Sequence, residues 1–434
     1  MEFAKLGHLF VTVFLHSFAV FMVIPAITDV TMTALCPGKD ECSVAIYLTG
    51  FQQAITGLGS LVMMPVIGNL SDTYGRKALL TLPMALTVVP LAILAYKRTE
   101  DYFLGYYVIK LVTGMFCEGS VLCLSLAYVA DTIEESKRAS AFGMLAGVAS
   151  TAFVSGTLTA RFLSTSSTFQ VSTFVGIFSI VYMRTFLVDS SKQMDETTPL
   201  LTNTKDTESN TKMQINKKIP SLKDMIHLLC SSLTFTQAAV IAFFSSLAEG
   251  GLHASLLYFL KAQFHFNKDQ FADLMLIAGL AGAISQLILM PIVATRLNEV
   301  NLLRIGLFAA CTHMFLYSIS WAPWVPYVAS SFSILAVFGP PCIRSIASKQ
   351  LGPEDQGKGQ GCISGMSSFA NVVSPLTFTP LTALFLSDKA PFHFPGFSIM
   401  CTGFAMMIAF IQCTMMRTAP PPTQKISSNT FVEP

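Results

Sequence analysis

Residues 68–77 of the chain read GNLSDTYGRK, a short charged segment between two apolar runs. Two glycines bracket an acid, Asp72, and two bases follow the second glycine. On each side the sequence stays free of charge for about the 20 residues that a helix needs to cross a bilayer. The segment therefore predicts a tight turn at a membrane surface, joining two transmembrane helices.

The composition of the whole chain agrees with this local pattern. Of its 434 residues 52% are apolar and only 12% are charged, whereas soluble proteins carry about 25% charged residues. Much of the chain is therefore expected to face lipid. A net charge of +2 gives no reason to expect a nucleic-acid partner. The sequence has no CxxC, no His/Cys cluster and no GxxxxGK[ST], so we expect no metal, cofactor or bound nucleotide.

Twelve apolar runs are long enough to cross a bilayer, six in each half of the chain. We number them as spans 1 to 12. Those of the first half lie at about 7–29, 46–68, 78–96, 102–130, 139–163 and 168–188, and those of the second half at about 228–260, 270–294, 302–320, 325–347, 361–386 and 394–416. The predicted fold is an all-α membrane protein with an N-terminal bundle (1–188), a polar linker (189–227), a C-terminal bundle (228–416) and a polar tail (417–434).

The distribution of positive charge predicts the orientation of these spans. Most of the 27 lysines and arginines fall in the segments that share a side with the N-terminus, and such segments are usually cytoplasmic. We therefore expect a multi-pass protein with both termini and the linker in the cytoplasm. The first apolar run is longer than the core of a secretory signal and should remain as span 1.

The two halves carry matching segments. Residues 61–68 read LVMMPVIG and residues 287–294 read LILMPIVA, each at the end of the second span of its half. A second resemblance relates residues 134–143 to residues 354–361, which both run from an acidic pair to a glycine. Duplicated units packed about an axis normal to the membrane usually enclose a site at the midplane. The matches therefore predict two pseudo-symmetric halves around a central cavity.

The twelve spans, the polar linker and the segment between spans 2 and 3 together resemble the major facilitator superfamily. Its signature there is G-x-x-x-D-[RK]-x-G-[RK]-[RK], and Thr73 departs from the base that is usual at that position. Over residues 7–416 the chain looks most like the tetracycline-resistance and hippocampus-abundant-transcript-like branch, including its plant members. The residues that match the signature are Gly68, Asp72, Gly75, Arg76 and Lys77.

The resemblance gives these residues a gating role on the cytoplasmic side. Gly68 would let two helices approach closely, and Asp72 would face the positive N-terminal end of span 11. Arg76 would pair with Asp131 at the end of span 4. We call the five signature residues together with Asp131 the clasp. The alternative is an ordinary positively charged loop.

Ionisable groups within the spans are candidates for the cavity. Such a group at mid-bilayer costs roughly 3 kcal/mol, so Lys110, Glu118 and Glu249 should face water or pair with one another. Lys110 and Glu118 lie eight residues apart in span 4, about two helical turns. We predict that Glu118 and Glu249 carry protons during transport, because a carboxyl group removed from water keeps its proton more readily. The alternative is a structural Lys110–Glu118 ion pair.

The depth of other polar residues in the spans decides whether they are candidates for the cavity. His16 in span 1 and His253 in span 7 could face the cavity or simply bond a neighbouring helix, and Gln52 is a further cavity candidate. The pair at residues 250–251, Gly-Gly, is expected to let span 7 bend. Arg344 lies near the predicted end of span 10 and is expected to reach out to the membrane surface.

Two shorter patterns concern sorting and oxidation. Glu196, Leu200 and Leu201 in the linker fit the acidic dileucine pattern E-x-x-x-L-L, which a sorting adaptor could bind. Such motifs direct membrane proteins to vacuoles or endosomes; without it the plasma membrane is expected. Cys36 and Cys42 lie in a polar loop and would form a disulfide if that loop faces an oxidising compartment.

The sequence thus predicts a secondary transporter, acting as a monomer in the bilayer, that moves a small organic solute with protons, in antiport. Thr157 replaces the proline that ends the glycine-rich signature of antiporters in span 5, so a symporter or facilitator remains the alternative. A non-transporting receptor on the same fold is a second class. A membrane enzyme is not expected, because no nucleophile or metal motif accompanies the carboxyl groups.

Overall fold

The computed structural model describes residues 2–35, 43–188, 229, 232–266, 268–352, 355–386 and 390–416. Within these ranges the chain is helical and has no strand. Spans 1 to 6 are the helices Glu2–Leu35, Ser43–Tyr74, Arg76–Tyr96, Glu100–Cys117 with Ser120–Thr132, Arg138–Phe162 and Thr165–Phe186. Spans 7 to 12 are Leu233–Phe264, Lys268–Ile284 with Met290–Ala294, Glu299–Ser318, three short helices in span 10, Gln356–Phe385 and Phe397–Met415.

The number of membrane-length helices agrees with the sequence. In the described part of the chain, 11 segments are long and apolar enough to cross a bilayer. The twelfth, Gln356–Phe385, has 30 residues but contains many serines, threonines, glycines and prolines. It packs against both span 2 and span 7, so less of its surface needs to face lipid. The predicted all-α membrane fold with two six-span halves is confirmed.

Each half has its own apolar core. Two clusters, around Met84 and Phe142 and around Leu94 and Phe103, draw only on spans of the first half. A larger cluster around Phe235 is built almost wholly from the second half. The halves therefore pack as separate bundles that meet along a seam.

The connection between spans 2 and 3 differs from the predicted turn. Span 2 does not end near Gly68 but continues as a helix to Tyr74, about 9 Å further. Only Gly75 interrupts the chain, with φ 91° and ψ 145°, a conformation that side-chain-bearing residues rarely adopt. Asp72 therefore lies on a rigid helix.

Spans 4 and 10, which occupy corresponding places in the two halves, are both interrupted. Span 4 stops at Cys117 and resumes at Ser120, and between them Gly119 is left-handed with φ 76°. The prediction of one continuous helix through Lys110 and Glu118 is therefore wrong. Span 10 consists of Val325–Ser331, Ser333–Ala336 and Gly339–Ser348, with prolines in the first turns of the first and third pieces.

Candidate functional site

The clasp begins with Asp72, which joins span 2 to span 11. Its two carboxylate oxygens each accept a backbone hydrogen bond, one from the N–H of Gly357 and one from that of Lys358, both 3.0 Å long. These N–H groups belong to the first turn of Gln356–Phe385 and have no partner within their own helix. The carboxylate thus lies at the positive end of span 11.

Arg76 extends this contact to span 4. Its side chain is only 5% exposed and forms ion pairs with Asp72 and Asp131. The Nε atom donates to Asp131 Oδ2 over 2.8 Å, and a terminal nitrogen donates to the hydroxyl of Ser71. One guanidinium group therefore connects spans 2, 3 and 4. Among the described residues the side chain of Lys77 has no hydrogen bond or ion pair, so it stands apart from this network.

Backbone contact between spans 2 and 11 accompanies the polar contacts. A Cβ atom added at Gly68 would overlap the carbonyl group of Gly357. At Gly361, one turn further along span 11, an added Cβ would lie 2.6 Å from the carbonyl oxygen of Met64. The clasp end of the bundle, where these residues lie, is therefore closed.

Each segment of the first matching pair meets a glycine of the second pair in the opposite half. Met64 of residues 61–68 lies against Gly361 in span 11 through its backbone carbonyl, and Met290 of residues 287–294 lies against Gly143 in span 5 through its side chain. Both methionines are buried, at 2% and 0% exposure. A methionine–glycine contact thus occurs twice across the seam, once for spans 2 and 11 and once for spans 8 and 5.

A second polar network at the clasp end was missed by the sequence analysis. Glu299 at the start of span 9 accepts from Lys349 over 3.0 Å and from the hydroxyl of Ser345 over 2.8 Å. Arg138 at the start of span 5 donates to Ser348 Oγ over 3.0 Å. The ion pair Glu299–Lys349 in the second half corresponds to Arg76–Asp131 in the first half, with the positions of acid and base exchanged. This reversed pairing was the signal in the sequence from which the network could have been predicted.

The larger cavity lies in the first half, beside the break in span 4. Its volume is about 290 Å³, and its lining includes His16, Lys110, Glu118 and Gly119. Three of the predicted cavity residues therefore share one space. Within the described chain no ion pair of 4.0 Å or less joins Lys110 and Glu118. Interrupted helices at corresponding places in two repeats are typical of transporter binding sites.

A smaller cavity of about 30 Å³ lies in the second half, between spans 7, 10 and 11. Glu249 and Arg344 both line it. The expectation that Arg344 reaches the membrane surface is wrong, because its side chain turns inward and donates from Nη1 to Ser364 Oγ over 3.0 Å. Arg344 lies in the helix Gly339–Ser348, the last piece of span 10.

Two predicted cavity residues lie elsewhere. Neither Gln52 nor His253 belongs to the described lining of the two cavities. His253 lies near His313, whose Nδ1 is 2.7 Å from the carbonyl oxygen of Ala329.

Span 7 is continuous at its glycine pair, where Gly250 packs against Ser374 of span 11, so these glycines serve close packing rather than a bend.

The remaining predicted residues fall outside the described ranges. They are the sorting residues Glu196, Leu200 and Leu201 and the cysteines Cys36 and Cys42. In the described part of the chain no group of three or more His, Cys, Asp or Glu side chains could hold a metal ion.

Membrane-length helices in two related bundles, interrupted at corresponding places beside cavities that contain ionisable side chains, have the architecture of a multi-pass membrane transporter. The chain belongs to the Major Facilitator Superfamily, whose sequence profile matches residues 9–375.

Several known proteins are similar in sequence. Hippocampus abundant transcript 1 protein of Homo sapiens is 22% identical over 335 residues, which is 76% of this chain and 65% of the relative. Hippocampus abundant transcript-like protein 1 of Homo sapiens is 23% identical over 76% of this chain and 63% of its own length. The matched region is thus a little under two thirds of these relatives. The class E tetracycline resistance protein of Escherichia coli is 22% identical over 76% of this chain and 77% of its own.

Solved structures share the fold. The human organic anion transporter MFSD10 (TETRAN) superposes with a TM-score of 0.74 at 16% identity, covering 95% of this chain and 99% of that one. The proton:xylose symporter XylE, bound to 6-bromo-6-deoxy-D-glucose, gives a TM-score of 0.66 at 15% identity and covers 96% of both chains.

Proposed function

We propose that the protein is a secondary active transporter that moves a small organic solute across a membrane by alternating access, coupled to protons in antiport. The observation that supports this most directly is the pairing of a closed clasp with one cavity in each half, each lined by a carboxyl group. Family membership and the transporter fold supply the general class.

Alternating access requires the clasp to open and close. Hydrogen bonds to charged groups contribute about 1.5–3 kcal/mol each, so the two bonds that Asp72 accepts from span 11 hold the closed state by an amount comparable to the binding energy of a small solute. Arg76 pairs with Asp72 from within the first half. Because few such bonds hold the two bundles at this end, solute binding can shift the balance between states.

Proton coupling is assigned to Glu118 and Glu249. Each lines a cavity, and within the described chain neither has an ion-pair partner at 4.0 Å or less. A carboxyl group without a fixed counter-ion changes its protonation readily when its access to water changes. Opening and closing the bundle would therefore load and release protons at these two positions.

Symport or facilitated diffusion is the second candidate. Span 5 runs as one helix, Arg138–Phe162, with Thr157 at the position where related antiporters carry proline. A helix without that proline lacks one distinguishing feature of antiporters, so the direction of coupling is a separate experimental question.

Transport measurements in sealed vesicles test the proposal. The full chain is reconstituted, and uptake of small anionic, cationic and neutral organic solutes is followed with and without an imposed pH gradient. We expect gradient-dependent flux that falls in Glu118→Gln and Glu249→Gln but not in the control Glu100→Gln, which changes an exposed acid at the far end of span 4. Flux that ignores the gradient contradicts proton coupling, and no flux of any solute favours a receptor or scaffold.

The cellular location is proposed from the linker. We place the protein in a vacuolar or endosomal membrane, with both termini and the linker cytoplasmic and an adaptor bound at Glu196, Leu200 and Leu201. Replacing both leucines by alanine should move the protein to the plasma membrane. An unchanged location in fluorescence microscopy contradicts the sorting role.

A further inference from the structure

We infer that Arg344 binds a carboxylate group of the transported solute, so that the protein carries organic anions. This inference rests on the proposed transport function and names the class of its solute. Arg344 lies in Gly339–Ser348, the last piece of the interrupted span 10, and lines the smaller cavity together with Glu249 and three serines.

The guanidinium group of Arg344 has unused donors. Only Nη1 is engaged, by Ser364 Oγ at 3.0 Å and by Gln360 Oε1 at 3.4 Å, and both partners are neutral. A guanidinium group has five N–H donors. In the described chain no protein acceptor binds Nε or Nη2. Neither nitrogen belongs to the described buried atoms that lack a hydrogen-bond partner, which means that both are accessible. These two nitrogens therefore face open space, where a ligand could reach them.

Two buried arginines at this end of the bundle are used differently. Arg76 is neutralised by Asp72 and Asp131, and Arg138 donates to Ser348 while lying 4.0 Å from Glu135. Arg344 has no carboxylate within 4.0 Å among the described residues, although Glu249 lines the same cavity. A cation inside a span without a counter-ion is costly, and a bound anion would remove that cost.

The volume of the cavity limits which part of an anion can enter it. A volume of about 30 Å³ has room for about two water molecules, which suits the planar head of a carboxylate but not a whole solute. Carboxylates and guanidinium groups form paired parallel hydrogen bonds. The rest of the solute would extend past the exposed side chain of Glu249, toward the space between the halves.

The position of Arg344 lets a bound anion influence both halves. Ser364, which accepts its hydrogen bond, lies in span 11, and this helix packs against Ser120–Thr132, the second part of span 4. Two turns earlier along span 11, Gly357 and Lys358 donate to Asp72 in the clasp. A carboxylate at Arg344 would thus lie against the helix whose N-terminal end closes the bundle.

Binding to the purified full-length protein in detergent tests the inference. The probes are benzoate, benzamide and benzylamine, which share a ring and differ in charge. We expect benzoate to raise the midpoint of thermal unfolding more than the other two. In Arg344→Gln the affinity for benzoate should fall on the order of 10- to 100-fold, whereas Arg344→Lys should retain part of it. Arg184→Gln, which removes an exposed arginine at the end of span 6, should behave like the unsubstituted protein.

Equal shifts with all three probes, or an unchanged benzoate affinity in Arg344→Gln, overturn the inference. If Arg344→Gln fails to fold, the comparison of Arg344→Lys with the unsubstituted protein decides the matter, because lysine keeps the charge but cannot form the paired bonds. Uptake of radiolabelled benzoate into vesicles separates the two proposals. If benzoate binding depends on Arg344 but benzoate is not taken up, the transport proposal is contradicted and the anion site stands. If other solutes show gradient-driven flux but benzoate binding does not depend on Arg344, the anion site is contradicted and the transport proposal stands.

Discussion

At the scale of single residues, Asp72 shows how a few atoms join the two bundles. Its carboxylate accepts from two backbone N–H groups of span 11 and from Arg76. Asparagine at this position keeps one acceptor oxygen and loses the charge. Because charge-assisted hydrogen bonds contribute about 1.5–3 kcal/mol, we expect Asp72→Asn to raise the population of the open state on the order of 10- to 100-fold.

Native cysteines report this opening. Cys362 is 2% exposed on span 11, next to the Gly361–Met64 contact, so it should react faster with a permeant maleimide when the clasp opens. Cys413 is fully buried in the same core cluster as Cys362, but it lies in span 12, which packs on spans 7, 9 and 11 of its own half, and it serves as the internal reference. Asp101→Asn, which makes the same substitution at the exposed start of span 4, is the control for Asp72→Asn. Equal Cys362 rates in the two variants would show that Asp72 does not hold the clasp.

The sequence predicted some site residues well and others poorly, for a physical reason. Asp72 and Arg76 could be placed because a short motif with fixed spacing locates them between spans 2 and 3, and Asp131 because it is the acid at the predicted end of span 4. The inward direction of Arg344 could not be foreseen, because it depends on how the interrupted span 10 is turned. Hydropathy gives the depth of a residue in the membrane but not the way its side chain points.

At the scale of helices, the break in span 4 depends on Gly119. Any other residue at its left-handed φ of 76° costs about 1 kcal/mol or more, and an added Cβ would also meet the side chain of Met64. We expect Gly119→Ala to lower the thermal stability of the purified protein and to reduce transport. Gly105→Ala, in the same span, has open space around the added carbon and should be neutral or slightly stabilising.

The pair Glu299–Lys349 joins spans 9 and 10. Glu299 is only 8% exposed, and without Lys349 its sole described partner would be Ser345. Since Lys349 is 30% exposed, solvent screening moderates the loss, and we expect Lys349→Ala to reduce the free energy of unfolding by about 1–2 kcal/mol. Lys137→Ala, which breaks an exposed pair with Glu134, should change it by less than about 0.5 kcal/mol. Chemical denaturation in detergent measures both.

Helix number and order could be predicted because most spans are long apolar runs, although span 11 is less apolar than the other described spans. The breaks could not, because Gly119 lies inside an apolar run and alters only one pair of dihedral angles. The extension of span 2 to Tyr74 was missed for the opposite reason, since its last turns are polar and yet stay helical while they pack against span 11.

At the scale of the molecule, twelve spans require both termini on one side of the membrane. Lys137 and Lys97 are exposed at opposite ends of the bundle, between spans 4 and 5 and between spans 3 and 4. When only the plasma membrane is permeabilised, we expect Lys137→Cys to react with an impermeant thiol reagent and Lys97→Cys to react only after the internal membranes are opened as well. Labelling of both before the internal membranes are opened would contradict the proposed orientation.

The repeated methionine–glycine contact has a consequence for how such a bundle could have arisen. Met64 meets Gly361 and Met290 meets Gly143, so each half supplies one methionine and one glycine. A single ancestral six-helix chain bearing both residues could have made the same two contacts with another copy of itself, as an isologous homodimer does. Gene fusion would then have had only to tether partners that already fitted each other.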